Sequence, residues 1–448
     1  MPTARCKHIT FSGIMPHLPD ASSRSAKIGT VTALALIIAN MIGTGAFTSL
    51  GFQLKETGRP AVVLALWIVG GVVALSGAFS YAEVGTAIKK SGGEYTFLSR
   101  IYHPLAGYLS GWISLTVGFA APIALSAMAA VAYFPLSTGS GKWIAVGLIF
   151  LVTLIHTRGV RSGARFQRIA TLLKVIVMVT LIAVGLALPS EQSPATVFPR
   201  PWFSGVDPVA FAVLLIYVSY SYSGWNAVTY ITDEVRRPSR TLPVSLVGGA
   251  LIVTVLYTLL QYVFLKHVPV GELSGVLDVG NVAVQRMLGD GAGRWFGVAL
   301  SLLLVSGISA MVWVGPRVTS GMGADYPMWR YFRSQPGEVP VHALWLQFFI
   351  ASALLLTGTF EQIMIYCGVL LSVSTMMTVF GTFILRRKPA LGDGKQYKSP
   401  LFPLFPLIFL FFSVWMIVFV VIRNPLETLI GLGNLMVGAA TWFWGKKR

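Results

Sequence analysis

The chain is a succession of apolar runs, most of them about 18 to 25 residues long, which is the length that carries a helix across the hydrocarbon core of a bilayer. They lie at Ile28–Leu50, Ala61–Ile88, Leu105–Phe134, Trp143–Thr157, Ile169–Leu188, Pro208–Ile231, Leu242–Leu265, Trp295–Val318, Val341–Leu356, Gln362–Leu385, Phe402–Ile422 and Thr428–Trp444. Hydrocarbon offers no partner for a backbone N–H or C=O, so such runs must pair these groups internally as helices. The expected fold is an all-α integral membrane protein of about twelve transmembrane helices. Only 11% of the residues are charged and the mean hydropathy is +0.72, whereas soluble domains carry about 25% charged residues. The longest polar connections, Glu191–Asp207, His267–Arg294, Tyr326–Pro340 and Arg386–Pro400, read as loops or short interfacial helices rather than as a soluble domain.

Two runs carry glycine and small polar residues at membrane depth: Ala39-Asn40-Met41-Ile42-Gly43-Thr44-Gly45-Ala46-Phe47 and Tyr220-Ser221-Tyr222-Ser223-Gly224-Trp225-Asn226. A helix is interrupted there only where the freed backbone groups face a cavity or a ligand, so the pair reads as two broken helices. The amides of Gly43, Thr44 and Gly45 would begin a half-helix and carry partial positive charge suited to a carboxylate. The carbonyls of Ser221 and Tyr222 would end the opposing half-helix and suit an ammonium. One site between them fits a zwitterion, with Ile42, Tyr220, Ser223, Trp225 and Asn226 beside it. Phe47, Tyr222 and Trp225 are placed to gate the site or stack on its ligand. Asn226 either hydrogen-bonds the ligand or joins two helices. Alone, Gly43 and Gly45 would equally suit a close helix contact; the second break favours the site.

The net charge of +18 does not indicate nucleic-acid binding. With the N-terminus placed in the cytoplasm, alternate loops put 25 Lys and Arg on the cytoplasmic side and 8 on the other, with Lys174 inside a span. That asymmetry is the positive-inside signal, and it places both termini in the cytoplasm. The first 27 residues lack the apolar core of a signal peptide and read as a polar tail. Cys6 and Cys367 imply no disulfide framework, and the absence of any Asn-x-Ser/Thr acceptor is compatible with a bacterial inner-membrane protein. No ATP site is expected, because Leu136 stands where a phosphate loop ending in Gly141-Lys142 needs glycine and Trp143 follows the lysine. The six histidines lack metal spacing, so neither metal nor cofactor is expected. Glu83 is the one acidic residue well inside a span and reads as a packing or gate residue. No carboxylate is evident beside either break, which favours neutral ligands over cationic ones; Trp225 or a tyrosine could still hold a cation through its ring.

Several motifs resemble the amino acid-polyamine-organocation superfamily. Gly43-Thr44-Gly45-Ala46-Phe47 is similar to the glycine-rich break of its first helix, and Ser80-Tyr81-Ala82-Glu83-Val84-Gly85 with Lys90-Ser91-Gly92-Gly93-Glu94-Tyr95 to its second helix and the loop after it. Tyr222-Ser223-Gly224-Trp225-Asn226, leading into Asp233-Glu234-Val235-Arg236-Arg237-Pro238 and Arg240-Thr241-Leu242-Pro243, is closest to the L-type amino acid transporter branch. Gly315-Pro316-Arg317-Val318 and Gly321-Met322-Gly323-Ala324-Asp325 resemble the end of the eighth helix more loosely, and the last two spans match by hydrophobicity alone. The resemblance implies two inverted five-helix repeats, residues 28–190 and 206–388, behind a cytoplasmic tail 1–27 and followed by two accessory helices over 400–445. It implies secondary active transport of amino acids by alternating access, with exchange preferred over proton symport. A cationic amino acid or polyamine carrier of the same superfamily is the alternative.

Lys174, in Thr171-Leu172-Leu173-Lys174-Val175-Ile176-Val177-Met178, could snorkel to the cytoplasmic surface. The resemblance gives it another role, at the place of a sodium site in related transporters, where a fixed ammonium ties the fifth helix to the first and makes sodium unnecessary. Ser223 stands where animal L-type members commonly have glycine, which disfavours the largest aromatic substrates. Those relatives bond a single-span companion through a loop cysteine, and Pro135–Lys142 contains none, so no disulfide-linked subunit is expected and the chain would act as a monomer or homodimer.

Overall fold

A computed structural model describes residues 27–134, 141–158, 163–190, 206–335, 338–388 and 396–445, together with 192, 197, 198, 200, 201, 391 and 392. The polar tail expected before residue 27 and the loop 135–140 lie outside the described residues. Every expected span is a helix. They are α1 (Thr30–Thr57), α2 (Pro60–Ala87), α3 (Pro104–Tyr133), α4 (Gly141–Thr157), α5 (Gly163–Ala187), α6 (Pro208–Glu234), α7 (Pro238–His267), α8 (Asp290–Asp325), α9 (Val341–Thr357), α10 (Phe360–Arg387), α11 (Leu404–Arg423) and α12 (Pro425–Gly445).

Local chemistry sets where these helices begin. Proline occupies the first turn of α2, α3, α6 and α7, where its missing N–H has no intrahelical partner to lose. The Asp207 carboxylate caps α6 by accepting from the amides of Val209 and Ala210 at 2.9 and 3.2 Å. Thr359 and Gln362 form a reciprocal capping box on α10. Several helices outrun their apolar stretch. α1 continues from the expected end at Leu50 to Thr57, because a helix stops where its backbone is capped, here by Gly58 at φ +57°, and not where hydrophobicity falls.

Both expected interruptions are present. α1 consists of an inner half, Thr30–Met41, and an outer half, Gly45–Thr57, separated by Ile42, Gly43 and Thr44. α6 runs as α-helix from Pro208 to Tyr222, opens at Ser223 to Asn226, and resumes as a 3-10 helix over Ala227–Glu234. Gly224 adopts φ +95°, and a Cβ there would lie 2.9 Å from the Asn40 carbonyl oxygen, so glycine is required both by conformation and by the approach of the two breaks. Below them, Ile28 donates to Glu234 at 2.8 Å and accepts from Arg236 at 2.8 Å, fastening the entry of α1 to the exit of α6. α3 is also irregular, with a π-turn over Ser114–Phe119, a form common at functional sites.

Glu83 has the packing role its sequence suggested. Its carboxylate takes two hydrogen bonds from Arg386 of α10, 2.6 and 2.8 Å, and one from the Ser399 amide at 2.8 Å, while the guanidinium lies over Phe402. The pair staples α2, α10 and the segment leading to α11. Glu83→Ala should lower the melting temperature of the detergent-purified protein strongly, since breaking a buried pair costs about 3–5 kcal/mol. Unchanged melting would show that the staple contributes nothing to stability.

Candidate functional site

The two breaks face one another. A Cβ built on Gly45 would fall 2.4 Å from the Ser221 hydroxyl and 2.7 Å from its Cα, so α1 and α6 touch through backbone. The Thr44 and Tyr220 hydroxyls meet at 3.3 Å, and those of Ser49 and Ser221 at 3.0 Å. Among the described residues none accepts from the amides of Thr44 and Gly45, and none donates to the carbonyls of Ser221 and Tyr222. The Gly43 amide lies beside the Tyr257 hydroxyl. A row of N–H groups therefore approaches a pair of unpaired carbonyls, the arrangement that suits a carboxylate at one end and an ammonium at the other.

α7 keeps the first break open. The Tyr257 hydroxyl donates to the Met41 carbonyl, which the break leaves without a helical partner, and the Gln261 side-chain amide donates to the Ala46 carbonyl at 2.8 Å in the first turn of the second half, so α7 holds both sides of the break. Neither residue was singled out in the sequence. Their signal was there, because a Tyr and a Gln four residues apart in an apolar span share one helix face.

A cavity of about 1680 Å³ opens from the breaks towards the end of the bundle that carries Lys90, Glu234 and Asp325. That is the end the charge asymmetry assigns to the cytoplasm. The other end is shut. The Tyr133 hydroxyl donates to the Phe47 carbonyl at 2.8 Å and accepts from the Gly280 amide at 3.0 Å, Gly275 donates to the Gly51 carbonyl at 2.8 Å, and Phe47 packs on Phe296. The short helices Val270–Leu273 and Val279–Leu288 between α7 and α8 help to form this seal.

Ile42, Gly43, Thr44, Gly45, Tyr220, Ser221, Ser223 and Trp225 all line the cavity. Trp225 forms a T-shaped pair with Tyr81, ring centres 4.6 Å apart, and packs on Phe409. Phe47 lies on the closed side, in a small void shared with Ile42, Gly43 and Lys174. Tyr222 corrects one expectation. Its backbone borders the cavity, but its ring is buried between Trp67 and Tyr257 and its hydroxyl donates to the Trp67 carbonyl at 2.9 Å, so the side chain neither gates nor stacks on a ligand. Asn226 lines the same cavity, and its amide nitrogen donates to Glu94.

Glu94 overturns the absence of a carboxylate beside the breaks. It lies distant in sequence, after a turn made by Gly92 at φ +112° and Gly93 at φ +55°, and that turn returns the chain to the second break. The sequence hid it in a polar loop, since only the folded turn brings it to Asn226. Lys174 sits in α5 facing both breaks' cavity and the small void behind Gly43, with its ammonium 3.3 Å from where a Gly307 Cβ would be. It is only 8% exposed, so it does not snorkel to the surface, and among the described residues no group pairs with it. Among the described residues no His, Cys, Asp and Glu cluster could hold a metal ion.

The two glycines of the first break should behave differently. Gly45→Ala drives a methyl into the Ser221 backbone and should destabilise the protein by about 1–3 kcal/mol, as overpacking does. Gly43 has open space, with only the Met41 carbonyl oxygen 3.8 Å from its would-be Cβ, so Gly43→Ala should melt like the parent. Equal melting of the two variants in a thermal denaturation series would contradict the packing described.

A family model described as amino acid permease matches residues 28–440. The serine/threonine exchanger SteT of Bacillus subtilis is 25% identical over 439 residues, covering 94% of this chain and 97% of that protein. The Asc-type amino acid transporter 1 of Mus musculus is 27% identical, covering 95% of this chain and 82% of the relative, and the large neutral amino acids transporter small subunit 2 of the same species is 27% identical over 94% and 81%. The unbroken match along the chain, on a bundle whose first and sixth helices both break at one cavity, shows that the protein belongs to the amino acid permease family.

Proposed function

We propose that this chain exchanges neutral L-amino acids across a bacterial inner membrane, without sodium, by alternating access. The observation that carries the reading is the meeting of the two breaks, where unpaired amides of Thr44 and Gly45 and unpaired carbonyls of Ser221 and Tyr222 border one cavity. An α-amino acid presents a carboxylate and an ammonium a few ångströms apart, and these groups answer both without a charged side chain. The names of the relatives, exchangers and transporters of amino acids, favour the same substrate class.

Neutral substrates are favoured because Glu94, the carboxylate bonded to Asn226 at the second break, is already occupied. Glu94 accepts from Tyr81, Asn226 and Tyr230, three neutral donors that leave little acceptor capacity for a substrate cation. The same carboxylate is also what favours the second reading, a carrier of cationic amino acids or polyamines. In the repeat reading, residues 28–190 and 206–388 form the two inverted halves, each contributing one broken helix, with residues 400–445 as accessory helices. Both termini lie in the cytoplasm, and no disulfide-linked companion is needed.

Lys174 carries the energy coupling in this proposal. Its ammonium stands between the break of α1 and Gly307 of α8, filling with a fixed charge a place that a mobile cation would otherwise take. Influx of labelled amino acid into liposomes containing the pure chain should require unlabelled amino acid inside and should be unchanged when potassium or choline replaces sodium. Lys174→Ala should lose most of this flux. A strict sodium requirement would remove the role given to Lys174, and strong pH-driven influx into empty liposomes would replace exchange with proton symport.

A further inference from the structure

Glu94 is a buried carboxyl group at the cavity mouth, held by three side chains. It is 4% exposed, and its carboxylate gathers the Tyr81 hydroxyl of α2 at 2.8 Å, the Asn226 amide at the second break and the Tyr230 hydroxyl of the 3-10 half of α6. The corner before it is sewn to the same half of α6. Gly92 donates to the Tyr230 carbonyl at 3.2 Å, Ser91 donates to the Asp233 carboxylate at 3.2 Å, and the Asp233 amide donates to the Ser91 hydroxyl at 3.0 Å. A Cβ on Gly93 would meet the Tyr230 ring at 2.8 Å, so the glycine lets the corner seat that closely.

The adjacent residue faces the opposite wall. Tyr95 donates to Asp325, at the end of α8, at 2.5 Å, and burial together with this bond holds its phenol well above the ordinary tyrosine range, so it remains a donor. Two consecutive residues of the short helix Gly93–Ile101 thus bracket the cavity mouth, Glu94 gripping α2 and α6 and Tyr95 gripping α8. Glu94 also reaches the site indirectly, because the ring of the Tyr81 that it holds packs in a T-shaped pair with Trp225.

We propose that Glu94 is a positioning residue, a latch that fixes the Ala227–Glu234 half of α6 while the cavity is open and thereby sets how fast the carrier turns over. The latch does not touch substrate. It acts through Asn226, Tyr230 and Tyr81, so it must be regripped or released each time this half of α6 moves. The inference rests on the proposed transport function only for its rate measurement; its accessibility measurement does not need a substrate.

The test uses the full-length chain with Cys6→Ser, and Ala310→Cys as a reporter on the cavity wall. Glu94→Gln, which replaces one acceptor oxygen with an NH2 that cannot accept, should lower maximal exchange about tenfold with little change in KM, and slow maleimide labelling of the reporter about as much. Glu94→Asp should restore part of both, which a role in general stability would not require. Tyr230→Phe removes one grip on the latch and decides the matter should Glu94→Gln fail to fold; it should slow labelling in the same direction. Parental labelling and parental exchange in Glu94→Gln, or in Tyr230→Phe where Glu94→Gln does not fold, would overturn the latch. So would selective loss of lysine and arginine exchange with neutral exchange intact, since that marks a substrate contact. A parent that labels as expected but moves no amino acid would defeat the transport reading and leave the latch standing.

Discussion

A backbone amide or carbonyl left unpaired inside a bilayer costs several kcal/mol, and the rest of this structure is organised around the two places where that cost is accepted. Each break releases groups that a continuous helix would have consumed. The fold satisfies some of them: Tyr257 takes the Met41 carbonyl, and the Ser223 amide folds back on the Tyr220 carbonyl at 2.9 Å. Among the described residues, the groups left unpaired include the amides of Thr44 and Gly45 on one side and the carbonyls of Ser221 and Tyr222 on the other. A ligand that carries a carboxylate and an ammonium completes the hydrogen bonding that the protein leaves unfinished.

Charge inside the bundle follows the same economy with three different outcomes. Glu83 is neutralised by Arg386 and becomes a staple between α2 and α10. Glu94 is held by neutral donors and ties three segments at the cavity mouth. Lys174 is buried without a partner among the described residues, close to the first break, which is an expensive placement for a purely structural ammonium. Of the three, Glu94 and Lys174 line the cavity, and through them the short helix Gly93–Ile101 and the fifth helix border the site.

The twelve spans and both breaks were legible in the sequence because they rest on local rules: an apolar run must be helical, and Gly43 to Gly45 or Ser223 and Gly224 cannot sit in lipid-facing helix without consequence. The same rules placed Gly43, Thr44, Gly45, Ser221 and Trp225 at the cavity. What was not legible depended on contacts between residues far apart in the chain. The Tyr222 side chain could have faced the ligand or the core, and only the positions of Trp67 and Tyr257 decide for the core. Glu94 looked like loop polarity, since nothing local reveals that two left-handed glycines turn it under Asn226. Helix ends such as Thr57 were misjudged because capping, not hydrophobicity, fixes them.

The central claim is that both charged ends of an α-amino acid are read by the unpaired backbone at Thr44 and Gly45 and at Ser221 and Tyr222. The most direct measurement is the shift in melting temperature of the purified protein with a neutral L-amino acid, compared with the amine that lacks its carboxylate and with its N-acetyl derivative. Because a ligand that binds only the folded state raises stability, the intact zwitterion should shift the transition and neither derivative should. An equal shift from the amine or the N-acetyl compound would contradict the account, since one of the two breaks would then have no part in recognition.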